Sequence, residues 1–364
     1  MGDMFVAWRD LRFAKGRFAL MGSVVLLITL LVGLLSGLTS GLARENTSAV
    51  TGLPATHLAF AAPAGDQEVS FTGSQVPERA WQAWRSQPGV TAAEPLGIRT
   101  AHAASGERTA AVSAFGVEPS GGLGPRGGDL APGKAVLTEK AAEELGGLGP
   151  GARLRIGTLE LTVSAVSGTA AYSHTPVVWM DLGDWQRTGG PGTSPETLAT
   201  VVAVRGDGMD LAAADRAAGT ETRTLDEALG AIGSYQAENG SLQLMRGFLF
   251  AISALVIGAF FTVWTIQRSG DIAVLKALGA STPYLLKDAL GQAVVMLAAG
   301  TGLGSALAAG FGVLIGGGNV PFVLDAATVL LPAAVMIVLG VLGAALSIRR
   351  ITAVDPLTAL GSAR

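Results

Sequence analysis

Few residues in this 364-residue chain can do chemistry, and their placement narrows what that chemistry is. There is no cysteine, which excludes disulfides, thiolate metal sites and cysteine nucleophiles. The three histidines, His57, His102 and His174, are too scattered to suggest a zinc site. Two glycine-rich stretches imitate phosphate-binding loops. Gly128 to Ala135 approaches the P-loop pattern with Lys134 as its lysine, but it lacks the final Ser/Thr hydroxyl that holds magnesium and is interrupted by Pro132. Gly122, Gly124 and Gly127 have a dinucleotide-type spacing, and Pro125 prevents the tight turn into a helix. Both are set aside, and no nucleophile–base constellation appears. What remains is Arg44 and Glu45, within the stretch Gly41 to Ser48. They have two uses. Arg44 can snorkel to lipid headgroups with Glu45 solvated, as a plain interfacial anchor, or the two can form a ligand site at the mouth of a helix bundle.

The pair follows an uncharged run from Ala19 to Ala43, long enough to cross a bilayer as a helix. Hydrophobic residues make up 49% of the chain and charged residues 15%, against roughly 25% charged in a soluble protein. Mean hydropathy is +0.46. The charge is partitioned as well: from Arg44 to Glu238 there are 22 Asp/Glu against 14 Lys/Arg, while the rest of the chain is net basic. No basic patch suited to nucleic acid is present. The fold class expected is membrane α-helical, with four transmembrane helices and an extracytoplasmic α+β domain between helices 1 and 2.

The expected organisation runs in order: a cytoplasmic N-terminal segment 1–18, transmembrane helix 19–43, an extracytoplasmic α+β domain 44–240 and transmembrane helix 241–266. A cytoplasmic connection 267–284, helix 285–315, an outer loop 316–325, helix 326–348 and a cytoplasmic tail 349–364 follow. The basic head (Arg9, Arg12, Lys15, Arg17) places the N-terminus in the cytoplasm, and the apolar run after it is too long for a typical secretory signal. Gly33, Gly37 and Gly41 recur at four-residue spacing in the first span, as do Gly300, Gly304, Ala308, Gly312 and Gly316 in the third. Such faces let helix backbones approach closely, and a homodimer seam is one candidate use of the first.

In the inserted domain, Gly89 to Val117, Arg153 to Ile156, Leu159 to Val163 and Thr175 to Met180 have strand character. Thr138 to Leu145 has helical character, with Thr138 as its cap and Gly146-Gly147 as its stop. Leu211 to Gly219 and Leu225 to Glu238 read as helices, the second running into the membrane. Trp81 and Trp84 fall on one side of a possible helix as packing residues. Lys287 and Asp288 mark the cytoplasmic end of the third span.

The connection after the second span, Asp271-Ile-Ala-Val-Leu-Lys-Ala-Leu-Gly279, sets Ile272, Leu275 and Leu278 on one side of a short helix stopped by glycine. Such a helix needs an apolar partner or a membrane surface. It resembles the matching loop of the FtsX/MacB-type (type VII) ABC transporter permeases, and Val354-Asp-Pro-Leu-Thr-Ala-Leu360 resembles that family's C-terminus. The resemblance covers essentially the whole chain. It implies a permease without catalysis of its own, in a bacterial plasma membrane with both termini cytoplasmic. It further implies a homodimer that works with two copies of a separate ATPase subunit, which binds the ATP. The coupling element of this mechanotransmission would be Asp271, Ile272, Leu275, Lys276, Leu278 and Gly279.

Within that family, Gly41 to Asn46 and Ser234-Tyr-Gln-Ala-Glu238, with Ala171 to His174, resemble the HrtB-type haem-efflux permeases. This resemblance implies haem as transported substrate, not cofactor, and haem detoxification as the role. The residues it points to are Glu45, Arg44, Tyr235 and Tyr172, with Glu45 as the ligand to haem iron. Ferric iron is a hard acid that oxygen ligands suit, and Arg44 can pair a propionate. The plain alternatives are an interfacial Tyr235, a packed Tyr172 and a packed or exposed His174. Other family members imply export of peptides or lipids, MacB-like, or FtsX-like signalling to a cell-wall hydrolase.

Overall fold

The computed structural model describes residues 15–125, 129–189, 194, 196–267, 270, 274, 278–279, 281–315 and 320–352. The chain divides into two compact units, one formed by Met1–Gly41 with Ser241–Arg364 and the other by Leu42–Gly240.

The first unit is helical. Its helices are α1 (Lys15–Thr51, up to Gly41), the part of α7 (Gly233–Gln267) from Ser241 on, α8 (Thr282–Ile315) and α9 (Ala326–Thr352). All four are long and apolar enough to cross a membrane. Their shared core joins Val25 and Val32 of α1, Phe261 and Trp264 of α7, Ala293 and Leu297 of α8, and Met336 of α9. The two small-residue stripes pack against this same chain. A Cβ on Gly33 would fall 2.8 Å from Ala308, one on Gly304 2.6 Å from the Leu26 carbonyl, and one on Gly41 1.9 Å from the Pro321 carbonyl. The first stripe is therefore occupied within the chain and is not the dimer seam considered from sequence. Helix α1 also overruns its expected end at Ala43, because nothing from Leu42 to Thr51 breaks it. Arg246 of α7 donates through Nη2 to Ser36 Oγ of α1 at 2.6 Å.

The second unit is α+β. Its strands are β1 (His57–Ala61), β2 (Val76–Pro77), β3 (Val90–Ser105), β4 (Arg108–Val117), β5 (Lys134–Leu137) and β6 (Arg153–Ile156). They continue with β7 (Leu159–Val166), β8 (Ala171–Tyr172), β9 (Thr175–Asp181), β10 (Thr197–Ala199), β11 (Val201–Gly206) and β12 (Thr220–Thr224). The large sheet runs β12-β1-β11-β3-β4-β9-β5-β7-β6, with β8 paired to β9. The far end of β3 also pairs with β6, so the strands from β3 round to β6 close on themselves. Inside this ring lie Val112, Leu137, Leu154, Leu161, Val178 and Met180. A two-stranded sheet pairs β10 with β2.

Short helices cover the faces: α2 (Glu78–Arg85), α3 (Glu139–Glu144), α4 (Leu182–Thr188), α5 (Leu211–Ala218) and α6 (Leu225–Ala228). Trp84 of α2 is fully buried and donates to Thr220 Oγ1, and Trp81 donates to the Ala93 carbonyl. Trp185 of α4 lies across the bare backbones of Gly97 and Gly116, where a Cβ would fall 2.3 and 2.4 Å from its atoms.

Two local expectations are corrected. Thr138 precedes α3, but its hydroxyl donates to the Val177 carbonyl and does not cap the helix. The helix expected over Leu225 to Glu238 is broken: α6 ends at Ala228, a 3₁₀ turn follows, and Ile232 is extended before α7 begins at Gly233. Two glycines, Gly230 and Gly233, flank that break.

Candidate functional site

Glu45 and Asn46 lie in the last turns of α1, within the α+β unit. Facing them is a two-residue hairpin loop, Ser173-His174, between the paired residues Tyr172 and Thr175. Both loop residues have positive φ, +49° and +61°, a conformation usually left to Asn or Gly. Holding two Cβ-bearing residues there costs roughly 1 kcal/mol each. The loop is secured by its amides: Ser173 N donates to the Asn46 carbonyl at 3.0 Å and His174 N to the Glu45 carbonyl at 3.2 Å.

The side chains complete a polar cluster. The imidazole of His174 stands between two carboxylates, with Nε2 2.9 Å from Glu238 and Nδ1 3.8 Å from Glu45 Oε2. Asn46, nearly fully buried, reaches His174 Nε2 at 2.7 Å, donates to Glu238 Oε2 at 3.0 Å and accepts from Ser234 Oγ at 2.6 Å. A proton on Nε2 serves the Glu238 contact, and the Asn46 amide then has Glu238 as its own acceptor. Ser234 and Glu238, one turn apart on α7, therefore clamp the loop from the other side.

The other oxygen of Glu45 accepts from Lys140 Nζ of α3 at 2.8 Å. That pair is 28% and 48% exposed, so it adds little to stability and opens at little cost. Glu45 is thus a part-exposed carboxylate held in place by its helix, with a cation that can be displaced. Among the described residues no group of three or more His, Asp or Glu side chains is arranged to hold a metal ion.

The residues singled out from sequence fare differently. Arg44 is exposed beside Glu45 and makes no hydrogen bond or ion pair among the described residues. Tyr235 is partly buried against the core of the α+β unit, next to Ser234 but without a hydrogen bond to the cluster. Tyr172 is not beside Glu45: its ring packs edge-on to Phe71 and Phe115 in the core, 5% exposed, and burial pushes its phenol well above the usual range. Asp271, Ile272, Leu275 and Lys276 lie outside the described residues. Of that connection, Leu278 N donates to the Val274 carbonyl, Leu278 is exposed, and Gly279 has the left-handed φ of +96° that ends a helical turn.

The nucleotide look-alikes are occupied otherwise. Gly122 N donates to Glu94 Oε2 at 2.7 Å, and Lys134 pairs with Asp129.

Two family models match the chain: a MacB-like periplasmic core domain over residues 21–220 and an FtsX-like permease C-terminal region over residues 244–356. A permease protein of Staphylococcus epidermidis named for a hemin transport system, HrtB, is 25% identical over 365 residues, covering 98% of this chain and 99% of the relative. An ABC transporter permease of Mycobacterium tuberculosis, of uncharacterised role, is 29% identical over 75% of this chain and 76% of its own. Among solved structures, the extracellular domain of the ABC-type transporter YknZ from Gram-positive bacteria aligns at 15% identity and a TM-score of 0.35, over 46% of this chain and 98% of that one. The periplasmic region of MacB from Actinobacillus actinomycetemcomitans aligns at 12% and 0.34, over 49% and 92%. With the MacB-like core matching more than half of its length and the FtsX-like region following, the chain belongs to the FtsX/MacB-type ABC transporter permeases.

Proposed function

We propose that this permease takes haem from the lipid phase and expels it outward, with Glu45 as the group that grips the iron. The observation that carries this reading is the near-full-length similarity to relatives named for hemin transport, joined to the held but displaceable carboxylate at Glu45. Ferric haem has an apolar face that prefers lipid, a hard metal centre and two propionates. An oxygen ligand suits that metal and also lets go of it, which a pump requires. Iron arriving at Glu45 displaces the Lys140 ammonium, while exposed Arg44 takes a propionate through its planar fork. Tyr235, next to Ser234, walls the same region. The buried Tyr172 has no part in this scheme.

Energy comes from a separate ATPase subunit, two copies serving a homodimer in the bacterial plasma membrane, with both termini cytoplasmic. The segment Asp271 to Gly279 seats on that subunit and transmits its closure. The test is haem tolerance: deleting the chromosomal copy should sensitise cells to haem, and re-expression with the ATPase should restore tolerance. Unchanged haem sensitivity with altered tolerance of peptides or lipids would instead place the chain with the MacB-like exporters.

A further inference from the structure

Arg246 is the single charged residue of α7 between Asn239 and Gln267. Beyond it the helix runs uncharged from Gly247 to Gln267, a rise of about 31 Å, which is close to the thickness of a bilayer's hydrocarbon core. Arg246 therefore stands at one boundary of that core, the level at which lipid phosphates lie. An arginine so placed ordinarily snorkels, laying its stem along apolar surface and its charge among headgroups and water.

Arg246 is turned the other way. It lies on the face of α7 that carries Phe250, Ser253, Ile257 and Phe261, the side chains packed into the helical unit. Its Nη2 reaches across to Ser36 Oγ of α1 at 2.6 Å, and Ser36 is itself buried. Its Nε is buried without a hydrogen-bond partner. Nη1 has none among the described residues either, and it is not closed off from a ligand. No carboxylate answers the charge: in the helical unit Asp288 accepts from Gln292, and Asp325 accepts from Thr328 N. A cation in a helix seam with one hydroxyl oxygen for company is costly, and arginines within spans almost always face a partner. The open side of the guanidinium calls for an oxyanion with two oxygens to offer.

We propose that Arg246, oriented by Ser36, binds the phosphate of an anionic phospholipid. The bilayer supplies that group at the depth of Arg246, and a phosphodiester carries a single negative charge for the single guanidinium to match. Met245, Phe248 and Ile252, beside Arg246 on α7, are exposed large apolar side chains along which the acyl chains lie. No residue of the Glu45 cluster takes part, so the lipid site stands or falls apart from the haem reading.

The test uses the full chain in detergent, with thermal unfolding followed as dioleoylphosphatidylglycerol or dioleoylphosphatidylcholine is added in mixed micelles. The anionic lipid should stabilise wild type saturably, at a half-saturating concentration about tenfold lower than the zwitterionic one. Arg246→Gln should bring the two lipids level, and Ser36→Ala, which removes only the hydroxyl that orients Arg246, should narrow the gap several-fold. Without lipid, Arg246→Gln should unfold no earlier than wild type, because it removes an uncompensated charge. A lowered midpoint there would mark the bond to Ser36 as merely structural and overturn the proposal. Equal half-saturation by the two lipids in wild type, or an undiminished preference in both Arg246→Gln and Ser36→Ala, would overturn it too. So would tighter stabilisation by oleate than by phosphatidylglycerol, which would give the guanidinium to a carboxylate instead.

Discussion

Both units bury aromatic side chains, Phe261 in one and Phe60, Trp84 and Phe115 in the other, but they differ in how their elements approach one another. The helical unit is held by missing side chains: Gly33 meets Ala308, Gly304 meets the Leu26 carbonyl, and Gly41 meets Pro321, each closer than a Cβ would allow. The α+β unit is held by large ones, with Trp84, Phe60 and Phe115 fully buried. The difference follows from the solvent. In lipid, burying an apolar side chain gains nothing, so helices associate by close backbone approach. In water, removing apolar surface is the main driving force.

That contrast can be broken by substitution. Phe115→Ala should cost the α+β unit about 3–5 kcal/mol, read as a lowered denaturation midpoint. Gly41→Leu should cost about 1–3 kcal/mol or more, because the new side chain meets backbone at Pro321 that cannot move aside. Gly22→Leu is its control: nothing lies within 4 Å, and thermal stability in detergent should be nearly unchanged. A penalty for Gly22→Leu equal to that for Gly41→Leu would show that the stripe is not a packing seam.

The next effect is one of pH. An unfolded tyrosine ionises near 10.0, whereas burial raises the Tyr172 phenol in the folded state. Its contribution is therefore complete below pH 10 and is lost as pH rises toward the folded value. Between them, wild type should lose about 1.4 kcal/mol per pH unit more than Tyr172→Phe. Parallel alkaline limbs would place the phenol in solvent. Smallest is Lys140→Met, which should change stability by no more than about 1 kcal/mol while removing the ammonium from Glu45 Oε1 and leaving His174 beside Oε2.

How much of this was legible in the sequence differs between the units for the same physical reason. Spans and glycine stripes are local patterns, and all four spans could be read as such. Local hairpins and helices in the α+β unit, such as Gly89 to Val117 and Leu211 to Gly219, were also visible. Glu45 stood out by its place after an apolar run, but its partners did not. Lys140, His174 and Glu238 join Glu45 or Asn46 across separations of 95, 128 and 192 residues, which no local periodicity encodes. The loop that delivers His174 was hidden too, since Ser-His lacks the Asn-Gly signature of its backbone. Tyr172 enters through the resemblance of Ala171 to His174 to the haem-efflux permeases, yet its ring packs into the core against Phe71 and Phe115, a long-range contact that the local motif does not encode.

The most direct test of the central claim is the absorption spectrum of the permease purified from haem-fed cells, wild type beside Glu45→Ala. The account predicts a Soret band in wild type and in Lys140→Met, and its loss in Glu45→Ala at equal yield and equal thermal stability. A Soret band undiminished in Glu45→Ala would contradict it.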